Sequence, residues 1–469
     1  MRRALLPINT STYFSDLFRL AKALRDAKTF EPLLLFVANY PTRAAHVRAC
    51  DEEGIRWHIE PAVADAPAGP APALDGAVPA PRARARFAAA LGRRFPGLEE
   101  FRAAIRYQQS RMRYATSVFA AEAIDLVILA GDLVHYDAPA FVRAAHARGI
   151  PAVVAPSWMA GPLEAAEALK NVPANAAEGI LARLFARARP RWAYVHQGRT
   201  LLRLPAARAI AMDLLRLGPP RPWVLHSGHA DAVAVESEFM RDYCLREGLS
   251  AETLVVTGSA AHDVMARLSS RAQDARRELC RSLSLEDNRP ILLSAVPPDQ
   301  FAGGARSGVE LGNYCELVEF WVRSLADVPG WNVVLSLHPS QTIEDWKHLE
   351  GPALRISTQK TETLMPLADL FVASVSSTIQ WAIACGKPAL NYDVYLYRYP
   401  DYATSRGVLL AETKDEFLRL LRALTTDTKE LRSAADEQRR SAPYFGVLDG
   451  RAIERLTALF ESLDRHHRA

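Results

Sequence analysis

At 469 residues, 49% of them hydrophobic, the chain exceeds one ordinary domain and can bury two or three sizeable cores. A formal net charge of +4 is small for that length and excludes a general nucleic-acid binder. The five cysteines, Cys50, Cys244, Cys280, Cys315 and Cys385, are scattered without a CxxC pair, which argues against a disulfide framework and a structural zinc site.

The opening residues, "MRRALLPINTST", carry two arginines but an apolar run too short for a signal peptide. No stretch reaches the roughly 18 apolar residues needed to span a bilayer. The expectation is a cytoplasmic protein with reduced thiols. A peripheral contact with the inner face of a membrane stays open.

In chain order, strands are expected at "RALLPI", "EPLLLFVA", "IDLVILAG", "PAVVAPS", "ADAVAVES", "TLVVTG", "PILLSAV", "NVVLSLH", "LFVASV" and "KPALNY". Between most of them lie stretches of helical period such as "FSDLFRLAKALRDA" and "DAPAFVRAAHARG". Apolar runs without polar alternation, separated by helices, indicate parallel sheets in an α/β protein. Ten strands divide most naturally into two doubly wound domains. The expected organisation is residues 1–264, a charged linker at 265–289, residues 290–446, and a helix at 447–469 that returns to the first domain. Residues 61–85 are Pro- and Ala-rich and read as a surface loop. Residues 161–222 read as mostly helical and are rich in arginine.

Several strand ends carry chemistry. "LFVASVSSTIQWAIACGKP" places Ser376, Ser377 and Thr378 where a strand hands over to a helix, with Gly386 and Pro388 closing it. One serine is accounted for as a helix cap, Ser376 or Ser377. Three hydroxyls exceed a cap and suit a phosphate at a helix N-terminus. "WNVVLSLHPS" puts His338 and Pro339 after the adjacent strand, where an imidazole can offer a hydrogen bond to a phosphate oxygen. "SAVPPDQFAGGARSG" is a glycine-containing loop with one cation, Arg306, which either closes over a diphosphate or is simply solvated.

In the first half, "AGDLVHYD" offers Asp132, His135 and Asp137 at a strand end. Asp137 fits a helix cap before Pro139. Asp132 and then His135 are the candidates for a general base, with His226 and His229 of "VLHSGHAD" as rivals. Asn9, Thr10, Ser11 and Asp16 follow the first strand and are candidates for an acceptor side. The stretch "ILARLFARARPRWAYVHQGRTLLRLPAARAIAMDLLRL" holds eight arginines among apolar residues. It reads either as a solvated face or as a surface for anionic lipid or anionic polysaccharide. Tyrosines of "NYDVYLYRYPDY" either stack on sugars or pack an interdomain cleft.

These segments together resemble the GT-B superfamily of nucleotide-sugar glycosyltransferases and non-hydrolysing UDP-N-acetylglucosamine 2-epimerases. "IDLVILAGDLVHYDAPAFVRAAHARGIPAVV" is similar to the epimerase segment with a Gly-Asp after its strand. "AVESEFMRDYCLREGLSAETLVVTGSAAHDVM" resembles the segment ending in a VTGN…D pattern, which assigns Gly258 to the donor side. "LSLHP" and "SSTIQWAIACGKP" match a His-Pro strand end and the helix that follows the next strand. The resemblance implies two Rossmann-like domains facing across a cleft.

Departures from the epimerase pattern are as informative. Asp132 matches, but Ala155-Pro156-Ser157 stands where epimerases need a Glu, and Val296-Pro297-Pro298 where they need a His. Trp381-Ala382 replaces a Glu pair, one of which holds ribose. The His-Pro pair with a Ser-Ser-Thr helix start is similar to bacterial CMP-sialic acid and CMP-Kdo transferases, and to CDP-glycerol polymerases. That similarity implies that His338, Pro339, Ser376, Ser377 and Thr378 meet the donor phosphate. The expected activity is metal-independent transfer of a sugar from a cytidine-linked donor to a surface glycan or glycolipid, with no cofactor beyond the donor. The alternatives are an epimerase-like enzyme, a glycerophosphotransferase, or a non-catalytic scaffold of the same fold.

Overall fold

A computed structural model describes residues 2–468 except 38, 39, 41, 61–95, 136, 157, 158, 160, 302–306, 338–340 and 342. The expected surface loop at 61–85 therefore lies outside the described residues. Fifteen strands form among the described residues: β1 (Arg2–Ile8), β2 (Phe30–Phe36), β3 (Arg56–Ile59), β4 (Leu126–Leu129), β5 (Ala152–Val154), β6 (Ala193–His196), β7 (Arg199–Leu202), β8 (Ala232–Val235), β9 (Leu254–Val256), β10 (Ile291–Ala295), β11 (Asn332–Ser336), β12 (Leu354–Ser357), β13 (Leu370–Ala373), β14 (Ala389–Tyr392) and β15 (Val408–Ala411). All ten strands expected from the sequence are among them.

Two parallel sheets organise the chain. One has seven strands in the order β3-β2-β1-β4-β5-β8-β9, and the other six in the order β12-β11-β10-β13-β14-β15. Strand β1 pairs in parallel with both β2 and β4, and β10 with both β11 and β13. Their interiors are sealed on both faces: Leu5, Leu6, Leu33, Val127 and Leu292 have no exposed surface. Such burial explains the unbroken apolar runs. Strands β6 and β7 form a separate antiparallel hairpin. Its turn is Gln197-Gly198, with φ of +49° and +75°, the paired left-handed conformation of a two-residue hairpin. Residues 161–222 thus hold a hairpin within the expected helices. Trp192, Phe185, Leu202 and Met212 make its small core.

Packing divides the chain into two compact units. The first comprises Met1–Ala234, Glu247–Val255 and Thr457–Ala469, and the second Val235–Arg246 and Val256–Leu456. The helix Glu238–Arg246 groups with the second unit because Phe239 stacks on Phe445 at 4.4 Å and on Tyr402 at 5.8 Å. Inside that unit Tyr392 stacks on Phe417 at 5.0 Å, and Trp321 on Phe417 at 5.6 Å. Tyr395 and Tyr397 donate hydrogen bonds to Pro298 O and Gln300 Oε1. The tyrosine run therefore packs its own unit.

Candidate functional site

Each sheet has a point where the strand order reverses. In the first sheet the chain moves outward from β1 to β3 and then returns to place β4 on the other side of β1. In the second it moves from β10 to β12 and returns with β13 beside β10. Loops leaving neighbouring strands there diverge, opening a crevice at the carboxyl ends where α/β proteins bind ligands. The residues after β1 and β4, and those after β10 and β13, accordingly line these positions.

After β4, Asp132 is buried and accepts a hydrogen bond from Gly228 N at 2.8 Å through Oδ2. Its other oxygen, Oδ1, is buried without a hydrogen-bond partner among the described residues. Desolvation pushes its pKa up to about 6, against the pull of the Gly228 N–H. The fit is close: a Cβ on Gly228 would lie 2.0 Å from Asp132 Oδ2. A Cβ on Gly131 would lie 2.6 Å from the Tyr13 hydroxyl and 3.5 Å from His226 Cε1. His226 is buried and holds φ at +62°, a conformation that non-glycine residues reach at a cost. Asp132, Tyr13 and His226 thus gather around two glycines at the first reversal point. A carboxyl that titrates near neutrality with one oxygen unspent is equipped to take a proton.

The other candidates of this unit fare differently. His135 is half-buried, and its Nε2 is sealed from solvent without a hydrogen-bond partner among the described residues. Burial, and then the charges of Arg203 and Arg208, hold its imidazole well below the ordinary histidine range. It is neutral at pH 7 and a weak base. Asp137 does stand at the N-terminus of the helix Ala138–His146, but its side chain makes no cap bond. It accepts from the Tyr107 hydroxyl at 2.8 Å and pairs with buried Arg111 at 3.0 Å. His229 Nε2 is occupied by Gly218 O at 3.1 Å. Thr10 caps the helix Ser11–Asp26 by accepting from Tyr13 N, while Asn9 and Ser11 are buried. Asp16 pairs with Arg19 at 3.4 Å.

After β13 the chain turns sharply. Val375 adopts φ +45° and donates its N–H to Asn391 Oδ1 at 2.9 Å. Ser376 and Thr378 share a hydroxyl hydrogen bond at 2.8 Å, and Thr378 N donates to Ser376 Oγ at 3.3 Å. The expected cap at Ser376 or Ser377 moves to Thr378, which precedes the helix Ile379–Ala384 and makes no side-chain cap bond. The first N–H groups are instead satisfied by a tight turn, with Ile379 N bonded to Ser376 O and Gln380 N to Ser377 O. The N–H groups of Ser376 and Ser377 and the Ser377 hydroxyl bond no other described residue. Ser374 adds a fourth hydroxyl, buried without a partner among the described residues. The arrangement presents donors to an anion from a loop rather than from a long helix.

Nearby in the chain, Trp381 is pinned by its indole N–H to Glu236 Oε2 at 3.0 Å. Gly258 has φ +75°, and a Cβ there would lie 2.9 Å from Ala452 Cβ, so its place is explained by close packing. His338, Pro339 and Arg306 lie outside the described residues.

No protein-family model and no curated protein matches the sequence. Solved structures do match over nearly the whole chain. The calicheamicin glycosyltransferase is 13% identical, with a TM-score of 0.52 and 98% of both chains covered. The glycosyltransferase of kitacinnamycin is likewise 13% identical, at 0.52 and 98% of both chains. A UDP-GlcNAc 2-epimerase from Neisseria meningitidis bound to UDP-GlcNAc is 12% identical, at 0.51 and 97% of this chain and 99% of that one. The fold is GT-B.

Within this fold, Ser376, Ser377 and Thr378 sit together at one reversal point and Asp132 at the other, at the strand ends where the sequence puts them. Sequence reasoning did not find Tyr13, Gly228, Ser374 or Glu236. Gly228 meets Asp132 across 96 residues, and Glu236 meets Trp381 across 145. Only the "SGH" turn before the strand at Ala232 hinted at the first.

Proposed function

We propose that the chain is a glycosyltransferase that moves a sugar from a cytidine-linked nucleotide donor to a surface-glycan acceptor, with Asp132 as general base. The observation that carries this reading is the Asp132 carboxyl, buried at a reversal point with one oxygen uncommitted and a pKa of about 6. Such a group is ionised at cytoplasmic pH yet basic enough to take the proton of an acceptor hydroxyl as it attacks the sugar. In the second unit, Ser374, Ser376, Ser377 and the adjacent N–H groups are the donors for the phosphate that leaves, joined by His338. Glycosyltransferases and a nucleotide-sugar epimerase among the similar structures support a nucleotide-sugar substrate. Trp381, held by Glu236, occupies the position of the ribose-binding Glu in the uridine-using pattern, which favours cytidine.

The test is a panel of CMP, CDP, UDP and GDP scored by thermal stabilisation, followed by turnover of the best-bound nucleotide's sugar with and without acceptor. Greatest stabilisation by CMP or CDP and acceptor-dependent release of nucleotide are expected. Preference for UDP overturns the cytidine assignment, and epimerised or free sugar without acceptor overturns the transferase.

A further inference from the structure

We propose that the helix Ile180–Ala188 docks the chain on an anionic lipid surface. The inference is independent of the donor and acceptor chemistry above. The helix reads ILARLFARA and is anchored from below by Phe185, which is buried against Trp192 at a ring separation of 6.3 Å. Its outer side carries three aliphatics: Ile180, Leu181 and Leu184 are 73%, 51% and 62% exposed. Single exposed aliphatics are ordinary, but three within five residues of one helix make a patch that water disfavours.

Arg183 and Arg187 are exposed on the same helix, three and seven residues after Ile180 and so on the same side as Ile180 and Leu184. Neither has an ion-pair partner among the described residues, whereas Arg189 and Arg191 both pair with Asp213 and Arg199 with Glu178. The helix carries no acidic residue. Aliphatics flanked by unneutralised arginines are the pattern of a helix that lies in a membrane interface, with its apolar side chains among acyl chains and its guanidinium groups at the headgroup phosphates.

A second copy of the chain is the poorer occupant. A two-fold contact would set each arginine against its own copy with no carboxylate on the helix to separate them. Nine residues span only about 13 Å, far too little for the ~800 Å² per partner of a stable dimer. A lipid surface needs neither pairing nor area, only shallow insertion of a few side chains.

The experiment is co-sedimentation of the full chain with phosphatidylcholine vesicles, with and without phosphatidylglycerol. Wild type is expected to pellet with the anionic vesicles, to bind the neutral ones far less, and to dissociate as salt rises. Leu184→Asp together with Ile180→Ser should lower the partition coefficient at least about tenfold with an unchanged unfolding midpoint, because both side chains face water. Arg183→Gln with Arg187→Gln should erase the preference for anionic vesicles. Wild type remaining in the supernatant overturns the proposal, as does aliphatic-variant binding equal to wild type. A wild-type dimer that Leu184→Asp converts to monomer also overturns it, in favour of self-association.

Discussion

Asp132→Asn separates the proposed catalytic role of this residue from its effect on folding, because it keeps the shape of the side chain and removes its charge. In the native chain the Asp132 pKa stands at about 6 against an ordinary 3.8, a rise of about two units worth roughly 3 kcal/mol. The direction is destabilising. Between pH 4 and 6 the native state holds a proton that the unfolded state has released, so stability falls as pH rises through that window. Above pH 6 the full loss of roughly 3 kcal/mol is in place, and below pH 4 it vanishes. Asparagine never ionises and escapes this loss. One offset applies: its amide nitrogen would occupy the place of Oδ1, which has no partner among the described residues, at about 1 kcal/mol. The variant should therefore be about 2 kcal/mol more stable than wild type at pH 8 and no more stable at pH 4, measured by urea unfolding across that range. Its turnover should fall about a hundredfold or more while nucleotide affinity is kept. Wild-type turnover should decline below pH 6 as the base is protonated. Equal stability at pH 8 would refute the desolvated carboxylate, and undiminished turnover would move the base to His226.

Gly228→Ala should push the Asp132 carboxylate aside, since the new Cβ would lie 2.0 Å from Oδ2; kcat is expected to fall at least about tenfold with nucleotide affinity unchanged in titration. Ser376→Ala with Ser377→Ala should weaken nucleotide binding by roughly 1.5–3 kcal/mol, about one to two decades. His338→Ala should do the same, and calorimetric titration of the combined variant should show less than additive loss if all act on one phosphate. Arg111→Met should cost roughly 3–5 kcal/mol in urea unfolding, because the buried Glu60 and Asp137 carboxylates lose the guanidinium that both engage.

What was legible in the sequence follows burial. Strands β1, β4, β10 and β13 lie inside their sheets, so all their buried positions but Ser294 are apolar and each run stands out. β3 reads RWHI with most of its side chains exposed, and no apolar run marks it. The β6–β7 hairpin was hidden because its strands are only four residues each, with Val195, Arg199 and Thr200 exposed, and its turn is two residues long. Strand-end motifs located Asp132 and Ser376–Thr378, since a loop after a buried strand is a local pattern. Partners were not legible. Asp137 looked like a cap because the sequence cannot show that Arg111 reaches it from another helix. The shift of the cap to Thr378 follows from the left-handed turn at Val375, a conformation no pattern of valine announces.

The return of residues 457–469 to the first unit sets an order of events during synthesis. Phe460, fully buried, meets Phe30 edge-on at 6.3 Å, and Glu461 pairs with Arg2 at 2.5 Å. A ribosome that has finished Val255 must translate the whole stretch to Leu456 before those residues exist, on the order of 10 to 40 s at roughly 5–20 residues per second. Throughout that interval the seat for Phe460 beside Phe30 stays open, while the second unit can acquire all of its own residues and close. The half of the chain that begins first is thus completed last, and an unfinished nascent chain leaves Phe30 without the ring that seals it.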